Sequence, residues 1–320
     1  MISADNLVST TAENPRTRRP SEEAVETARV IKARLGRRVS APVRLTFIRT
    51  FPGTAAAPPL ARLLRSGRGS DVRVALYLSF LWFAANPPHD LAYPARVWAT
   101  LLGLEDPDGS GTRRVRQAIA KLEAENLIRS EARAGLPSRI YLLDESGQDR
   151  PYVLPGAAWS KSRNSPDEWR DRYVQVPDAL WTQGWISVLS GPALGMLLVL
   201  YAERGLRAND DELWFSPAKA KELYAISDDT RSRGLRELRA AGLVTTRRRQ
   251  ASRDVLDLRR LRNTYRLDDT RLAQPAEVPV DLNAAPGGAK RPSARELFDD
   301  ALSRYEPPPP RRNRDDDVEF

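Results

Sequence analysis

One phrase is written twice in this chain. Leu122-Glu123-Ala124-Glu125-Asn126-Leu127-Ile128 returns as Leu238-Arg239-Ala240-Ala241-Gly242-Leu243-Val244. With Leu122 set on Leu238, the apolar pairs Ile119/Leu235, Leu127/Leu243 and Ile128/Val244 coincide without a gap. An internal repeat must be read before any other pattern, because each copy is then one supersecondary unit. Here the unit is a helix that runs directly into a strand, so a single-domain reading does not fit.

At about 3.6 residues per turn, Val115, Ile119 and Leu122 share one helix face, while Arg113, Arg116, Gln117 and Ala120 lie on or near the opposite one. In the second copy Leu235 and Leu238 take the buried stripe. Ser232, Arg233 and Arg236 point away from it, and Asp228 is the candidate cap. Arg and Gln side chains are those that pair with guanine and adenine edges in a groove wide enough for a helix.

Each copy has a second helix upstream. Pro94 opens residues 95–102, and Ser216-Pro217 opens residues 218–224; proline in a first turn gives up a donor that has no intrahelical partner there. A turn follows in both, through Gly103 to Ser110 and through Ala225 to Asp228. Downstream the period becomes strand-like. Leu127-Ile128-Arg129 is followed by a loop with Gly135 and Pro137 and then by Ile140-Tyr141-Leu142-Leu143. The second copy runs from Leu243-Val244-Thr245-Thr246 into Arg247, Arg248 and Arg249, a longer loop with Arg253, and then Asn263-Thr264-Tyr265-Arg266-Leu267. Each reads as a β-hairpin with basic residues in its loop.

Helix, turn, helix and hairpin in this order resemble the winged helix-turn-helix superfamily, over roughly residues 71–145 and 172–268. The two seven-residue phrases stand where that family passes from recognition helix to wing. Two tandem copies resemble plasmid replication initiators as well as bacterial transcription regulators. The closing strands Ser138-Arg139-Ile140-Tyr141-Leu142 and Asn263-Thr264-Tyr265-Arg266-Leu267 look like those of plasmid and phage replication-organiser domains. The resemblance implies a mainly α fold with small β-hairpin wings, and double-stranded DNA as partner. Arg113, Arg116, Gln117, Ser232, Arg233 and Arg236 would meet base edges, and Arg247, Arg248, Arg249 and Arg253 the backbone. A winged helix that serves protein contact is the competing reading, since fold does not fix function.

With 320 residues and 41% hydrophobic content, the chain is long enough for two cores with tails. The formal charge of +9, with the largest surplus in the first seventy residues, favours a polyanionic partner. Because Glu105, Asp106, Asp108, Glu123 and Glu125 crowd the first copy, the second reader helix is expected to dominate. There is no cysteine, and His89 is the only histidine, so thiolate and zinc sites are not expected; His89 reads as a solvated loop residue. The longest apolar run, residues 193–202, is too short for a bilayer and reads as a buried helix. Residues 1–5 carry no secretory pattern, and a cytoplasmic protein without membrane contact is expected. No phosphate-binding loop, dinucleotide fingerprint or nucleophile elbow occurs, so neither a cofactor nor an enzymatic activity is expected.

The remaining segments are placed by composition. Residues 1–20 are expected to be disordered. Residues 21–70 form a basic N-terminal helix and arm, with Ser21 as cap and Arg34, Arg37, Arg38 and Arg44 either tracking phosphate or simply solvated. Residues 71–145 are the first domain, 146–171 a linker that Trp159 and Trp169 keep from being wholly free, and 172–269 the second domain. Residues 270–320 are a flexible tail carrying a short helix at 293–305. That helix places Leu297, Phe298, Ala301, Leu302 and Tyr305 on one face, and it is too short to be stable alone, so it docks on its own chain or recruits a protein partner.

Overall fold

The computed structural model describes residues 17–51, 56–65, 69–207, 212–214, 216–250, 261–282, 293 and 295. About half of the chain is helical, with small antiparallel sheets and, among the described residues, no barrel. Two helices that are apolar nearly all round determine the layering. Such a helix has no face to offer water, so it must lie inside.

The first half runs β1 (Thr17–Arg18), α1 (Glu22–Leu35), β2 (Ser40–Arg44), α2 (Leu45–Ile48), α3 (Pro59–Arg65) and α4 (Ser70–Phe83), the first of the two apolar helices. It continues through β3 (Asp90–Leu91), α5 (Ala95–Leu101), α6 (Ser110–Ala124), β4 (Ile128–Arg133), β5 (Leu136–Leu142) and α7 (Pro155–Ser162). The second half runs β6 (Tyr173–Pro177), α8 (Ala179–Thr182), α9 (Trp185–Val188) and α10 (Gly191–Leu206), the second apolar helix. Then come α11 (Pro217–Tyr224), α12 (Asp228–Ala240), β7 (Val244–Gln250), β8 (Leu261–Leu267), α13 (Asp269–Leu272) and β9 (Val278–Pro279).

The repeat is longer in space than in sequence. β3 pairs antiparallel with β5, and at the corresponding place Leu213 forms a bridge with Tyr265 on β8. α4 packs on α6 as α10 packs on α12. The doubled phrase has a local cause: Asn126 (φ 54°) and Gly242 (φ 74°) both take the left-handed conformation just past their helix. The following amides then close the helix end, Leu127 N–H donating to Leu122 C=O (3.0 Å) and Leu243 N–H to Leu238 C=O (2.9 Å). Asn and Gly are the residues that adopt this conformation at low cost, and the leucine that follows lands in the core. Close helix approach explains one further choice: a Cβ on Gly234 would lie 2.3 Å from the Pro192 carbonyl oxygen of α10. Ala118 holds the equivalent place on α6 and is also buried.

The halves share one core rather than standing apart. β2 and β6 form an antiparallel ladder from Ser40↔Pro177 to Arg44↔Tyr173, and α4 packs directly on α10. Trp82 of α4 stacks on Trp181 of α8 at 4.8 Å and 10°, and the Trp181 indole N–H donates to the Ser79 hydroxyl at 3.0 Å. Trp181 therefore packs against the first half as well as the second.

Several expectations based on composition give way to this packing. Residues 21–70 are not an arm. α1 packs on α5 and α8, and Arg44 is 1% exposed. Arg44 is ion-paired with the fully buried Glu145, lies 3.4 Å from Asp171, and donates to the Val153 carbonyl at 2.7 Å. Burial pushes the Glu145 carboxyl up, against the downward pull of Arg44. Burial alone would lower the Arg44 guanidinium, but the charge and hydrogen bond of Glu145 outweigh it and raise it. Arg38 donates to the carbonyls of Ser40 and Leu81, whereas Arg34 and Arg37 remain exposed. The segment expected to link two domains contains α7 and a 3₁₀ turn at Glu168–Arg170, and Trp169 sits 4.7 Å from Phe51. Thr17 and Arg18, within the stretch expected to be disordered, pair with Pro279 and Val278 of the expected tail. His89 is buried, with Nδ1 3.0 Å from the Ala84 carbonyl and its ring edge-on to Tyr152.

Candidate nucleic-acid interface

α6 is amphipathic, and its burial follows the wheel. Val115, Ala118 and Leu122 are buried and Ile119 half-buried, whereas Arg113, Arg114, Arg116 and Gln117 are exposed. None of these four side chains has a hydrogen-bond or ion-pair partner among the described residues. The helix has no acid in its first turn. Four of the five acids nearby are engaged elsewhere, Asp108 lying 3.5 Å from Arg96, while Glu105 is exposed. Asp106 accepts from the Gly109 and Ser110 amides (3.1 and 2.8 Å), and Glu123 accepts from the Ser130 amide at 2.7 Å. Glu125 pairs with Arg62 and Lys121. Burial pushes the Glu125 carboxyl up, but these two cations outweigh it and leave its pKa lowered. Arg114, which the wheel alone leaves aside, thus belongs to the same cationic surface; its signal was adjacency to Arg113.

α12 presents Ser232, Arg233 and Arg236 on its exposed side, with Gly234, Leu235, Glu237 and Leu238 buried. Its cap is Ser227, whose hydroxyl accepts from the Thr230 amide at 3.2 Å, not Asp228. Ser227 has the extended backbone of a cap (φ −68°, ψ 155°), so Asp228 and Asp229 fall in the first helical turn, where both are exposed. Arg233 lies 3.6 Å from Asp229, and Arg231 lies 3.0 Å from Asp228. Arg236 has no such partner among the described residues. The expectation that acids encumber the first copy and spare the second is therefore reversed. The sequence placed acids near both helices, and only the hydrogen-bond partners decide which acids face the arginines.

A buried carboxylate adds polar ties to the packing of α12 on α10. Glu237, 4% exposed, accepts from the Ser190 amide (3.0 Å) and hydroxyl at the N-terminus of α10, and from Arg18 at 2.8 Å. Behind α11, the Glu203 carboxylate of α10, 1% exposed, accepts from the Tyr224 hydroxyl at 2.6 Å and pairs with Arg207 and Lys219. Burial raises the Tyr224 hydroxyl's pKa, as does that hydrogen bond, and keeps it protonated as the donor.

The hairpins differ. β4 and β5 meet at a tight turn where Gly135 has φ 69°, with an irregularity between Glu131 and Arg133. Their cations are largely paired within the protein, Arg129 with Asp149 (3.1 Å) and Arg139 with Asp90 (3.1 Å). In the second hairpin Arg247, Arg248 and Arg249 are not in the loop. They lie in β7, opposite Thr264, Asn263 and Arg262. Strand alternation sends Arg247 and Arg249 to one face and Arg248 to the other. Both face-mates approach Glu212: Arg249 bidentately at 2.9 and 2.5 Å, Arg247 at 3.7 Å. Arg248 is exposed. Arg253 lies outside the described residues.

Among the described residues no helix is long and apolar enough to cross a membrane, and no group of His, Cys, Asp and Glu is arranged to hold a metal ion. Comparison with protein-family models, with curated proteins and with solved structures finds no match.

Proposed function

We propose that this chain binds double-stranded DNA sequence-specifically through two tandem winged helix-turn-helix units, without chemistry of its own. The observation that carries the reading is the exposed cationic side of α6, where Arg113, Arg114, Arg116 and Gln117 stand without partners among the described residues, repeated in shorter form by Arg233 and Arg236 on α12. Clustered like charges repel, so such a face is best explained by a polyanion that neutralises it. Arg and Gln on the exposed side of a helix are also suited to bidentate contacts with purine edges. Arg248 fits a phosphate contact from the second wing.

A transcription regulator is the first role we propose. A replication initiator is the second; in either role two reading helices held on one body would span two neighbouring half-sites at a fixed spacing. Selecting bound sequences from random and genomic DNA tests both. Enrichment of one sequence class supports specific binding, and its clustering at one locus or scattering upstream of genes separates initiator from regulator. Absence of enrichment would refute the DNA reading.

A further inference from the structure

The doubled unit begins earlier than the doubled phrase. β2 and β6 are five-residue strands, each followed by a four-residue helix, α2 or α8, and later by one of the two long apolar helices. These equivalent strands pair with each other antiparallel, and their middle residues, Pro42 and Gln175, stand opposite. The hydrogen bonds that flank the ladder exchange the same positions. Leu45, one residue past β2, donates its N–H to the carbonyl of Arg172, one residue before β6, at 2.8 Å. Asp178, one residue past β6, donates to the carbonyl of Val39, one residue before β2, at 2.9 Å.

Contacts farther out are exchanged in the same way. A Cβ on Gly191, the first residue of α10, would lie 2.8 Å from the hydroxyl of Ser70, the first residue of α4. Trp181 of α8 packs on α4, and α2 packs on α10. The turn after α5 touches the segment ahead of α10, since a Cβ on Gly103 would lie 3.1 Å from the Ser187 Cβ. The turn after α11 touches the segment ahead of α4, where Arg65 donates to the Ala225 carbonyl at 2.5 Å. When one element meets another and their counterparts meet in exchange, the contact is isologous, the mark of a two-fold rotation. Head-to-tail repetition would set different surfaces of the two units together instead.

We propose that the two winged units are related by an approximate two-fold axis through the Pro42–Gln175 pair, and that the DNA site of one chain is an imperfect inverted repeat centred on that axis. The inference rests on the DNA reading and adds the relative orientation of its two half-sites. A duplex has two-fold axes perpendicular to its length, because its strands are antiparallel, and two-fold related readers engage both half-sites when the axes coincide. α6 and α12 then run in opposite senses along the duplex. The repeat is imperfect because the readers differ. With Leu122 on Leu238, Arg116 stands at the place of Ser232, Gln117 at that of Arg233 and Ala120 at that of Arg236, so each arm favours its own bases.

The chain has no cysteine, so one introduced thiol can carry an iron chelate that cuts nearby DNA. Arg129→Cys and Thr245→Cys place it, in separate full-length proteins, at the second residue of β4 and of β7, both exposed. On a site selected from random DNA, the two cutting patterns should be mirror images about one centre, with the strands exchanged. The same pattern shifted along the same strand would overturn the inference, as would cutting from one label alone. A second measurement copies the α12 readers onto α6 through Arg116→Ser, Gln117→Arg and Ala120→Arg, three exposed positions. Selection with that protein should yield two closely similar arms, inverted with respect to each other, and similar arms in one direction would contradict the two-fold axis. Absence of any enriched sequence would refute the DNA reading and this inference with it, an outcome distinct from enriched sites whose arms run in one direction.

Discussion

Glu237 of α12 holds Ser190, the residue that caps α10, by two hydrogen bonds, one from the backbone N–H at 3.0 Å and one from the hydroxyl. The carboxylate on the inner side of α12 is thus tied to the N-terminus of the buried helix α10. Orientation of Arg233 and Arg236 depends on that tie, because both project from the same helix about one turn or less away. Glu237→Ala leaves a buried amide and the Arg18 guanidinium without their acceptor. Destabilisation by about 1–3 kcal/mol is expected on chemical denaturation, with weaker DNA discrimination as a second effect. Glu237→Gln, which keeps an acceptor, should recover part of both.

The Arg44–Glu145 pair ties β2 to the segment that follows the first hairpin, since Arg44 ends β2 and Glu145 lies just beyond β5. Removing one partner of a buried pair strands the other charge. Glu145→Ala should cost about 3–5 kcal/mol in a denaturation titration. Arg44→Met combined with Glu145→Leu should recover most of it, because both charges are then gone. A double variant no more stable than Glu145→Ala would show that the carbonyl and Asp171 contacts of Arg44 dominate.

The two basic residues on opposite faces of β7 should behave differently. Arg248→Ala removes an exposed cation, and the slope of log affinity against log salt should flatten by about 0.9 if that cation neutralises one phosphate. Arg249→Ala breaks its bidentate bond to Glu212, so its main effect should be on hairpin stability. Titrations at several salt concentrations separate the two, and equal slopes for both variants would contradict the assignment.

The helix-to-strand phrases were legible because two periods, the Asn or Gly between them and a second copy all agree; Asn126 and Gly242 then adopt the same conformation. The exposed residues of α6 and α12 followed from the wheel for the same reason. What was not legible depends on partners far away in the chain. Nothing near Arg44 announces Glu145, and β2 is a five-residue strand whose partner lies well over a hundred residues on. Residues 146–171 have the composition of a linker, yet α7 forms there and Trp169 packs on Phe51. Arg247 to Arg249 looked like a loop because three like residues show no alternation, although the strand backbone alternates them regardless.

Reader function should divide between the helices. Arg113→Ala with Arg116→Ala should lower discrimination between selected and random DNA by about 1–3 kcal/mol for each bidentate pairing with a base that the substitutions remove. Arg233→Ala with Arg236→Ala should act the same way but less strongly, since Arg233 is already within 3.6 Å of Asp229. Competition binding with both DNAs measures this, and a larger effect at α12 would restore the second helix as the dominant reader.

The central claim, that both units read one duplex from one body, is tested most directly by changing the spacing in a selected site. Equilibrium affinity of the intact protein is measured on that site and on a version with about five base pairs inserted between the half-sites, which rotates one groove to the far side of the duplex. Because β2–β6 and the α4–α10 packing join the halves without a free linker, the insertion should reduce binding to the level of a single half-site, and a full-turn insertion of about ten base pairs should not restore it. Affinity unchanged by the half-turn insertion, or equal on a site with one half scrambled, would mean that only one unit reads DNA.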